Sequence, residues 1–407
     1  MKLKILFVDD EKKVLSSLKR LFYNKKEEWE MDFVLGGRDA LKQVREIEYD
    51  IVISDMHMPN IDGAYLLEQV QAISPYTLRF ILSGYTDIDL VKKTLKATHK
   101  FFHKPCPKDK LEKIINRVVF LRKLLPDKSL REKINQIGVL PCNPLIYAML
   151  VEALSKSDLK RFQDTLYYDV CMFLNLFKII MNSFFVEAKG IYSFFKLLHN
   201  IDLSILKTVF LSQEIFLDYS DFTFKDFSIN EIWRHSRVVA YLSKTIAENL
   251  YKDKKFIEDC FIAGLLHDVG VFLMLLIFKE RYLNFLKNNF YKSDFEKKEI
   301  DEFKCSHALL GAYLAGIWGA NVNIVEAIAF HANPSLIKKK KLSPLSIVHF
   351  AGVFAFKNLN SLAGNSDINL DFGHYENMVS YATLKMWKNI CENFLKTIQY
   401  RINKKLL

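Results

Sequence analysis

The order of apolar segments in the first 121 residues constrains the fold most. Short apolar runs that end in polar residues alternate with segments whose apolar residues recur every three or four positions. The runs are KILFVDD, DFVLG, DIVISD, RFILSG and KFFHKP. Near-continuous apolar strands alternating with helices predict a doubly wound α/β domain, with a five-stranded parallel sheet covered by helices on both faces.

The pattern changes after Pro126. From residue 130 onward the chain has no convincing alternating strands, only long segments with helical spacing of apolar residues. We therefore expect a second, all-helical domain. A chain of 407 residues is long enough for two or three cores, which agrees with this division. The predicted boundaries are a first domain at 1–121, a linker at 122–130 and a helical domain at 131–407.

Composition argues against several classes of protein. The longest apolar runs, 269–278 and 170–177, are shorter than the roughly 18–20 residues that a membrane span needs, so we expect no span. The first residues contain acidic groups and no cleavage-site pattern, which predicts no signal peptide. Six cysteines without pair spacing indicate free thiols, and so we expect a cytoplasmic protein.

The net charge of +11 raises the question of nucleic-acid binding. The lysines are spread along the chain, however, with one cluster, KKKK at 338–341, between Pro334 and Pro344. Such a run is typical of a solvated loop, and a basic loop alone is weak evidence for contact with phosphate. We do not expect nucleic acid to be a partner.

Acidic residues, a hydroxyl and a lysine stand at the carboxyl ends of the predicted strands, where ligands bind in open α/β sheets. They are Asp9, Asp10, Asp55, Ser83 and Lys104. Converging carboxylates need a cation, and oxygen ligands of this kind suit Mg²⁺. The lysine and serine can bind a phosphoryl group, and a carboxylate can attack a phosphoryl donor. Taken one at a time, strand-end aspartates are also common helix caps.

The motifs VDDE, SDMHMPNIDG, ILSGYTD and FHKP occur in this order over about 120 residues. They resemble the receiver domain of two-component response regulators, which has a flavodoxin-like fold. The resemblance implies that Asp55 is the phosphorylated residue. It also implies that Asp10 binds Mg²⁺ directly, that Asp9 acts mostly through water, and that the backbone carbonyl of His57 is the third protein ligand.

Further residues take roles from the same resemblance. Ser83 and Lys104 would sense the phosphate, and Pro105 would follow in the cis form. Phe101 stands where the switch aromatic of the family usually lies, but it lacks the hydroxyl of a tyrosine. Phosphorylation would then act as a local electrostatic switch on the segment around Ser83 and Tyr85.

Four histidines and an aspartate recur on apolar stretches of the second domain. His235, His307 and His331 share helical spacing with apolar residues, and His267 and Asp268 are adjacent in GLLHDVG (264–270). Burying an imidazole and a carboxylate costs several kcal/mol unless each finds a partner or a metal. These groups suit zinc, iron or manganese, and an enzyme would add an open position for an activated water.

This half of the chain resembles the HD superfamily of metal-dependent phosphohydrolases, and more closely the HD-related output domain, HDOD, over roughly residues 130–360. IGVLPCNP, HALLGAYLAGIW and AIAFHANP carry the resemblance. A catalytic HD enzyme needs a further aspartate where this chain has Gly352, and the paired histidines and Gly-Tyr-Pro loop of cyclic-dinucleotide hydrolases are missing. We therefore expect a vestigial, non-enzymatic site. A second metal bound without turnover stays open.

Together these features predict a cytoplasmic, bacterial response regulator of a two-component phosphorelay. A sensor histidine kinase or a phosphotransfer protein would phosphorylate Asp55, and the HDOD domain would act by contact with an unknown downstream protein. The helix predicted at 107–124 would couple the two domains or form a homodimer. The alternative is an HD-type phosphohydrolase, acting on a cyclic dinucleotide or nucleotide and regulated by the receiver.

Overall fold

The computed structural model describes residues 2–84, 97–182, 193–201, 203, 206–207, 210, 217–218, 229–289, 294–359, 369–376 and 378–403. The sequence DIDLVKKTLKA at 87–97 has helical spacing of apolar residues, but all of it except Ala97 lies outside the described residues, as does Tyr85. The chain divides into two compact units. The first comprises Met1–Phe162, Cys171–Tyr219 and Gly316–Gly319, and the second comprises Gln163–Val170, Ser220–Ala315 and Ala320–Leu407.

The first unit begins with a five-stranded parallel sheet in the order β2-β1-β3-β4-β5. Every residue of β3 and β4 is buried. This burial agrees with their near-continuous apolar sequences, which are typical of strands covered by helices on both faces. The elements are β1 Leu3–Asp9, α1 Lys12–Leu21, β2 Trp29–Leu35, α2 Gly37–Glu46, β3 Ile51–Ser54, α3 Gly63–Ile73, β4 Leu78–Ser83, β5 Lys100–His103 and α4 Lys108–Leu124. The predicted doubly wound domain is confirmed.

The first unit continues through the predicted boundary. Its further elements are α5 Lys128–Asn135, β6 Pro141–Cys142, α6 Pro144–Ser155, α7 Leu159–Leu166, α8 Val170–Asn182, α9 Phe194–Asn200 and β7 Leu217–Asp218, with α7 reaching into the second unit. The short parallel pair β6–β7 departs from the expected all-helical pattern. Two residues per strand are too few to show period-two alternation, which is why the sequence did not reveal them. The predicted linker 122–130 falls inside this unit, and the domain limits stay a prediction.

The second unit is helical throughout its described residues, as predicted. Its elements are α10 Ile229–Leu250, α11 Lys254–Leu266, α12 Val269–Asn289, α13 Phe295–Phe303, α14 His307–Ile317, α15 Val322–Phe330, α16 Pro344–Leu359, α17 Phe372–Tyr375 and α18 Tyr381–Asn403. The last residues of α14 belong to the first unit. Trp387 anchors α18: its ring is fully buried and lies edge-on to Phe350 of α16, at 5.2 Å between ring centroids.

One helical stretch in the described residues is long and apolar enough to cross a membrane by length and composition. It runs from Lys254 to Asn289, with a mean hydropathy of 2.3 in its most apolar window. The stretch comprises α11 and α12, which meet at His267 and Asp268. In the structure, 78% of that window is buried, and core helices of soluble proteins have the same length, composition and burial. The apolar run within 269–278 is thus continued on the other side of the His-Asp pair.

Lys178 of α8 is a buried cation in the first unit. Its Nζ donates a hydrogen bond to the Gly138 carbonyl at 2.7 Å and lies 4.8 Å from the centroid of the Trp318 ring. Burial, with the charge of Arg79 nearby, lowers the pKa of Lys178 to about 7. The ordinary lysine pKa is about 10.4, so protonation of this side chain differs between the folded and unfolded chain near neutral pH.

We expect Lys178→Met to alter the pH dependence of stability. Above about pH 7 the unfolded chain holds a proton that folded Lys178 has lost, so the wild-type free energy of unfolding rises by about 1.4 kcal/mol per pH unit from this group. The methionine variant lacks that contribution. Urea unfolding between about pH 7 and about pH 9 measures the difference, with Lys113→Met on the exposed face of α4 as control. Parallel curves for wild type and Lys178→Met would contradict the assigned pKa.

Candidate functional site

The first cluster forms where β1, β3 and β5 end. Lys104 Nζ lies 2.7 Å from Asp9 Oδ2 and 2.6 Å from Asp55 Oδ1, so one ammonium group bridges two carboxylates. The backbone N–H of His57 donates to Asp55 Oδ2 at 3.0 Å, and that of Glu11 donates to Asp9 Oδ1 at 2.9 Å. Both carboxylates are thus held by strand-end backbone as well as by Lys104.

Burial sets the electrostatics of this cluster. It raises the pKa of Asp9, against the opposing effect of Lys104. For Lys104, burial would lower the pKa, but the hydrogen bonds that it donates to Asp55 and Asp9 outweigh this effect and raise the pKa. Asp55 is 7% exposed, whereas Asp10, which follows Asp9 in sequence, is open to solvent. The two neighbouring aspartates after β1 therefore differ in their exposure.

The other predicted residues surround the same point. Ser83 ends β4 and is fully buried, and its carbonyl accepts the backbone N–H of Lys104 at 2.9 Å. The Lys104–Pro105 peptide bond is cis. Phe101 is buried in the core beneath the sheet end. Ser83 and Lys104 thus lie at the carboxyl ends of the adjacent strands β4 and β5, whereas Phe101 lies inside β5.

Gly63 is a residue that positions Asp55 and that the sequence analysis missed. A Cβ built at Gly63 would lie 2.2 Å from the backbone oxygen of Asp55, so only glycine allows α3 to approach this closely. Asp62 begins the same helix, and its Oδ1 accepts the backbone N–H of Tyr65 at 2.8 Å. The signal was present in the motif NIDG, where a cap residue precedes glycine.

The second cluster gathers the four histidines around Asp268. The Nε2 atoms of His267, His307 and His331 lie 3.2, 3.5 and 3.7 Å from the nearer Asp268 oxygen. The ring of His235 is 5.4 Å from that of His267, centroid to centroid. His235, His267 and Asp268, and likewise Asp268, His307 and His331, bring ligand atoms within 4.8 Å of one another.

The two glycines of GLLHDVG bring the helices together. A Cβ at Gly264 would lie 2.8 Å from the α-carbon of Ala240 in α10, and a Cβ at Gly270 would lie 1.7 Å from the His307 carbonyl oxygen. His267 and Asp268 occupy the junction between α11 and α12, between these two contacts. The motif therefore holds its His-Asp pair against α10 on one side and α14 on the other.

Each converging histidine is fixed through its other ring nitrogen. The Nδ1 atoms of His267 and His331 lie 2.7 and 2.9 Å from the carbonyls of Gly264 and Ile328. His307 Nδ1 lies 2.6 Å from Oε2 of Glu299, which is fully buried and also accepts the hydroxyl of Tyr282. This pattern leaves Nε2 directed at Asp268 and is the outer shell typical of metal-ligating histidines.

Burial and charge separate the protonation states within the cluster. Burial lowers the pKa of His235 to about 4 and that of His331 to about 3. Burial would raise the pKa of Asp268, but the charge of His267 outweighs this effect. The pKa of Asp268 therefore lies well below its usual range. Burial would also lower the pKa of His307, yet the charge of Glu299 raises it well above normal. His235 and His331 are thus neutral at neutral pH, whereas His307 is held in its protonated form.

The second cluster lines a cavity of about 430 Å³ and is not sealed in the core. His235, Asp268 and His331 are half-buried, whereas His267 and His307 are buried. Asp268 and His331 keep only 13% and 14% of their side-chain surface exposed, so the cluster is mostly buried at the wall of this cavity. Gly352 lines the same cavity, and a Cβ built there would meet no atom of the described residues within 4 Å.

Comparisons with known proteins match both halves of the chain. The family model for the response regulator receiver domain matches residues 5–116, and the HDOD domain model matches residues 140–334. The uncharacterized transcriptional regulatory protein YesN of Bacillus subtilis is 28% identical over 123 residues, which are 28% of this chain and 32% of YesN. The transcriptional regulatory protein ZraR of Escherichia coli O157:H7 is 26% identical over 151 residues, covering 36% and 33%. The chain spans about a third of these relatives.

Solved structures match over the first part of the chain. The signal receiver domain of an HD domain-containing protein from Pseudomonas fluorescens Pf-5 is 26% identical, with a TM-score of 0.29, and the match covers 30% of this chain and 98% of that chain. A response regulator receiver domain protein from Clostridium thermocellum is 29% identical, with a TM-score of 0.28, covering 30% and 98%.

Proposed function

Because the chain carries a response regulator receiver domain at residues 5–116 and an HDOD domain at residues 140–334, we propose that phosphorylation of Asp55 controls an HDOD output that acts by protein–protein contact. The observation that carries the proposal is the bridge from Lys104 to Asp9 and Asp55 at the strand ends. A phosphoryl group on Asp55 would take the place of the carboxylate oxygen that Lys104 now binds. The natural donors are a sensor histidine kinase or a phosphotransfer protein.

The donor set of the receiver fits Mg²⁺. Asp9, Asp10 and Asp55 present carboxylate oxygens, with the His57 backbone carbonyl beside them in sequence, and hard oxygen ligands are those that Mg²⁺ prefers. The raised pKa of buried Asp9 supports the need for a further cation. When bound, the ion neutralises phosphoryl oxygens during transfer. Asp55 supplies the nucleophile, and Lys104 and Ser83 hold the product. We propose that the receiver works in the cytoplasm with its phosphodonor.

A non-enzymatic output is supported by Gly352. This residue lines the same cavity as the histidines, at the sequence position where an HD enzyme needs a carboxylate, and a Cβ built on it would meet no atom of the described part of the chain within 4 Å. A divalent site without that carboxylate lacks both a ligand and charge compensation. We therefore assign the HDOD half, within 131–407, to contact with a downstream protein and not to hydrolysis.

A second candidate, a metal-dependent phosphohydrolase, is favoured by one specific observation. His235 Nδ1 is buried without a hydrogen-bond partner among the described residues, and His235 forms a group of possible metal ligands with His267 and Asp268. Such an orphaned nitrogen fits a metal ligand, and imidazole with carboxylate suits zinc, iron or manganese. A bound ion would supply an activated water. His235, His267, Asp268, His307 and His331 would hold it.

Assays on the full chain distinguish a protein-binding output from a phosphohydrolase. We would measure metal content after purification and hydrolysis of cyclic dinucleotides and nucleotides with manganese, iron and zinc, with Asp268→Asn as the matched control. The proposed function predicts no hydrolysis by either protein, phosphorylated or not. Metal-dependent cleavage by the parent, lost in Asp268→Asn while that variant stays folded, would establish the hydrolase instead.

Lys104→Ala is expected to separate phosphorylation from signalling. The variant keeps the Asp55 nucleophile and still accepts some phosphate, but it loses the ammonium group that binds both carboxylates. We expect labelling of Asp55 with no phosphate-dependent change in hydrogen exchange of residues 229–359. Lys108→Ala, which removes an exposed contact to Asn24, serves as control. Equal responses in Lys104→Ala and wild type would rule out the sensing role.

A further inference from the structure

Basic side chains near the amino ends of β4 and β5 donate hydrogen bonds to helices that follow the receiver match. Arg79, the second residue of β4, is fully buried, and its guanidinium donates to the carbonyls of Ala97, Thr77 and Asn135 at 2.5, 2.8 and 2.9 Å. Asn135 is the last residue of α5, beyond the receiver match. One cation thus joins the sheet to the helix that follows the receiver.

The contact with α5 is reciprocal, and β5 adds a second one. Asn135 Nδ2 donates back to the carbonyl of Tyr76 at 2.7 Å. Lys100, the first residue of β5, donates from Nζ to the carbonyl of Met181 in α8 at 2.8 Å. Met181 lies inside the HDOD match. All of these residues belong to the same compact unit, so receiver and early HDOD residues pack together.

The same two strands carry the predicted phosphate-sensing residues at their other ends. Ser83 lies four residues beyond Arg79, and Lys104 lies four beyond Lys100. β4 and β5 are paired in parallel, with Phe80 opposite Lys100 and Ser83 opposite His103. At about 3.3 Å per residue, each path along a strand is only about 13 Å long.

We infer that β4 and β5 transmit the state of Asp55 from Ser83 and Lys104 to the contacts that Arg79 and Lys100 make with α5 and α8. The inference rests on the proposed phosphorylation of Asp55. Hydrogen bonds weaken steeply when their geometry changes, so a small displacement of either strand alters these contacts. A buried guanidinium amplifies the effect, because leaving its donors unpaired is costly. The HDOD half is therefore contacted at the amino edge of the sheet, opposite the phosphorylation site.

Hydrogen exchange of the full chain, measured by mass spectrometry with and without Mg²⁺ and beryllofluoride, tests the inference. In wild type we expect the exchange rates of residues 128–135 and 170–182 to change about fivefold, the effect of one ordinary hydrogen bond. Lys100→Met should lose the change in 170–182, and Arg79→Met should lose the change in 128–135. Lys113→Met on the exposed face of α4 should keep both.

The outcomes separate this inference from the proposed function. Labelling of Asp55 by a small phosphodonor is measured on the same proteins. If Asp55 is labelled but neither segment changes, or if Lys100→Met keeps the full wild-type change, transmission along the strands is overturned while the receiver assignment stands. If wild-type Asp55 is not labelled, both the inference and the proposed function are contradicted. Should Arg79→Met fail to fold, Lys100→Met decides alone, because Lys100 is half-buried and its Nζ donates to the Met181 carbonyl.

Discussion

Replacing Asp55 with Asn is expected to abolish phosphoryl labelling by a small phosphodonor in the presence of Mg²⁺. An amide cannot serve as the carboxylate nucleophile that forms an acyl phosphate. The side chain lies at the strand end with its Oδ1 2.6 Å from Lys104 Nζ, so an isosteric amide keeps the shape of the site and loses its chemistry. Asp10→Ala should also lower labelling, because it removes an exposed carboxylate from the Mg²⁺ donor set.

Asp62→Asn is the matched control for this experiment. Asp62 caps α3 next to the site, and asparagine caps a helix equally well, so labelling should match wild type. Mass spectrometry of the labelled protein locates the phosphoryl group. Full labelling of the Asp55→Asn protein at some other residue would end the assignment of the receiver site.

The second large effect concerns Asp268. Asp268→Asn is expected to lower the free energy of unfolding by about 1–3 kcal/mol, because three imidazoles lose the carboxylate on which they converge. His267→Gln should cost stability as well. The double variant should cost less than the sum of the single variants, since both changes remove the same 3.2 Å contact.

Denaturant unfolding in the presence of a chelator measures these costs without a contribution from metal. Asp253→Asn is the control, because Asp253 caps α11 and asparagine preserves the cap. Additive losses in the double variant would show that His267 and Asp268 are not coupled. Repeating the measurement with zinc or manganese reports binding: a metal-dependent gain in wild type that is absent in Asp268→Asn identifies these residues as ligands.

The receiver was largely predictable because its signals are local. Apolar runs give the strands, and residues at strand ends must meet at one edge of a parallel sheet. The sequence could not distinguish the environments of the neighbouring aspartates, since that depends on the turn after β1. Asp9 turns inward to Lys104, whereas Asp10 stays exposed.

Contacts across long sequence separations were not predictable. Glu299 lies in the charged segment FEKKEIDEF, which is typical of a solvated helix, yet it is fully buried against His307. Arg79 is the second residue of the apolar strand β4, and no local pattern shows that its charge turns inward to reach Asn135. Both residues are satisfied by partners that the fold brings to them, which periodicity does not encode.

The most direct test of the central claim is a comparison of the proteins captured by the full-length chain with and without beryllofluoride. The Asp55→Asn variant is carried through the same procedure. We expect at least one downstream protein whose capture depends on beryllofluoride in wild type and is independent of it in Asp55→Asn. An identical set of captured proteins in all conditions, from wild-type protein whose Asp55 is labelled in parallel, would contradict control of a protein-binding output by the receiver.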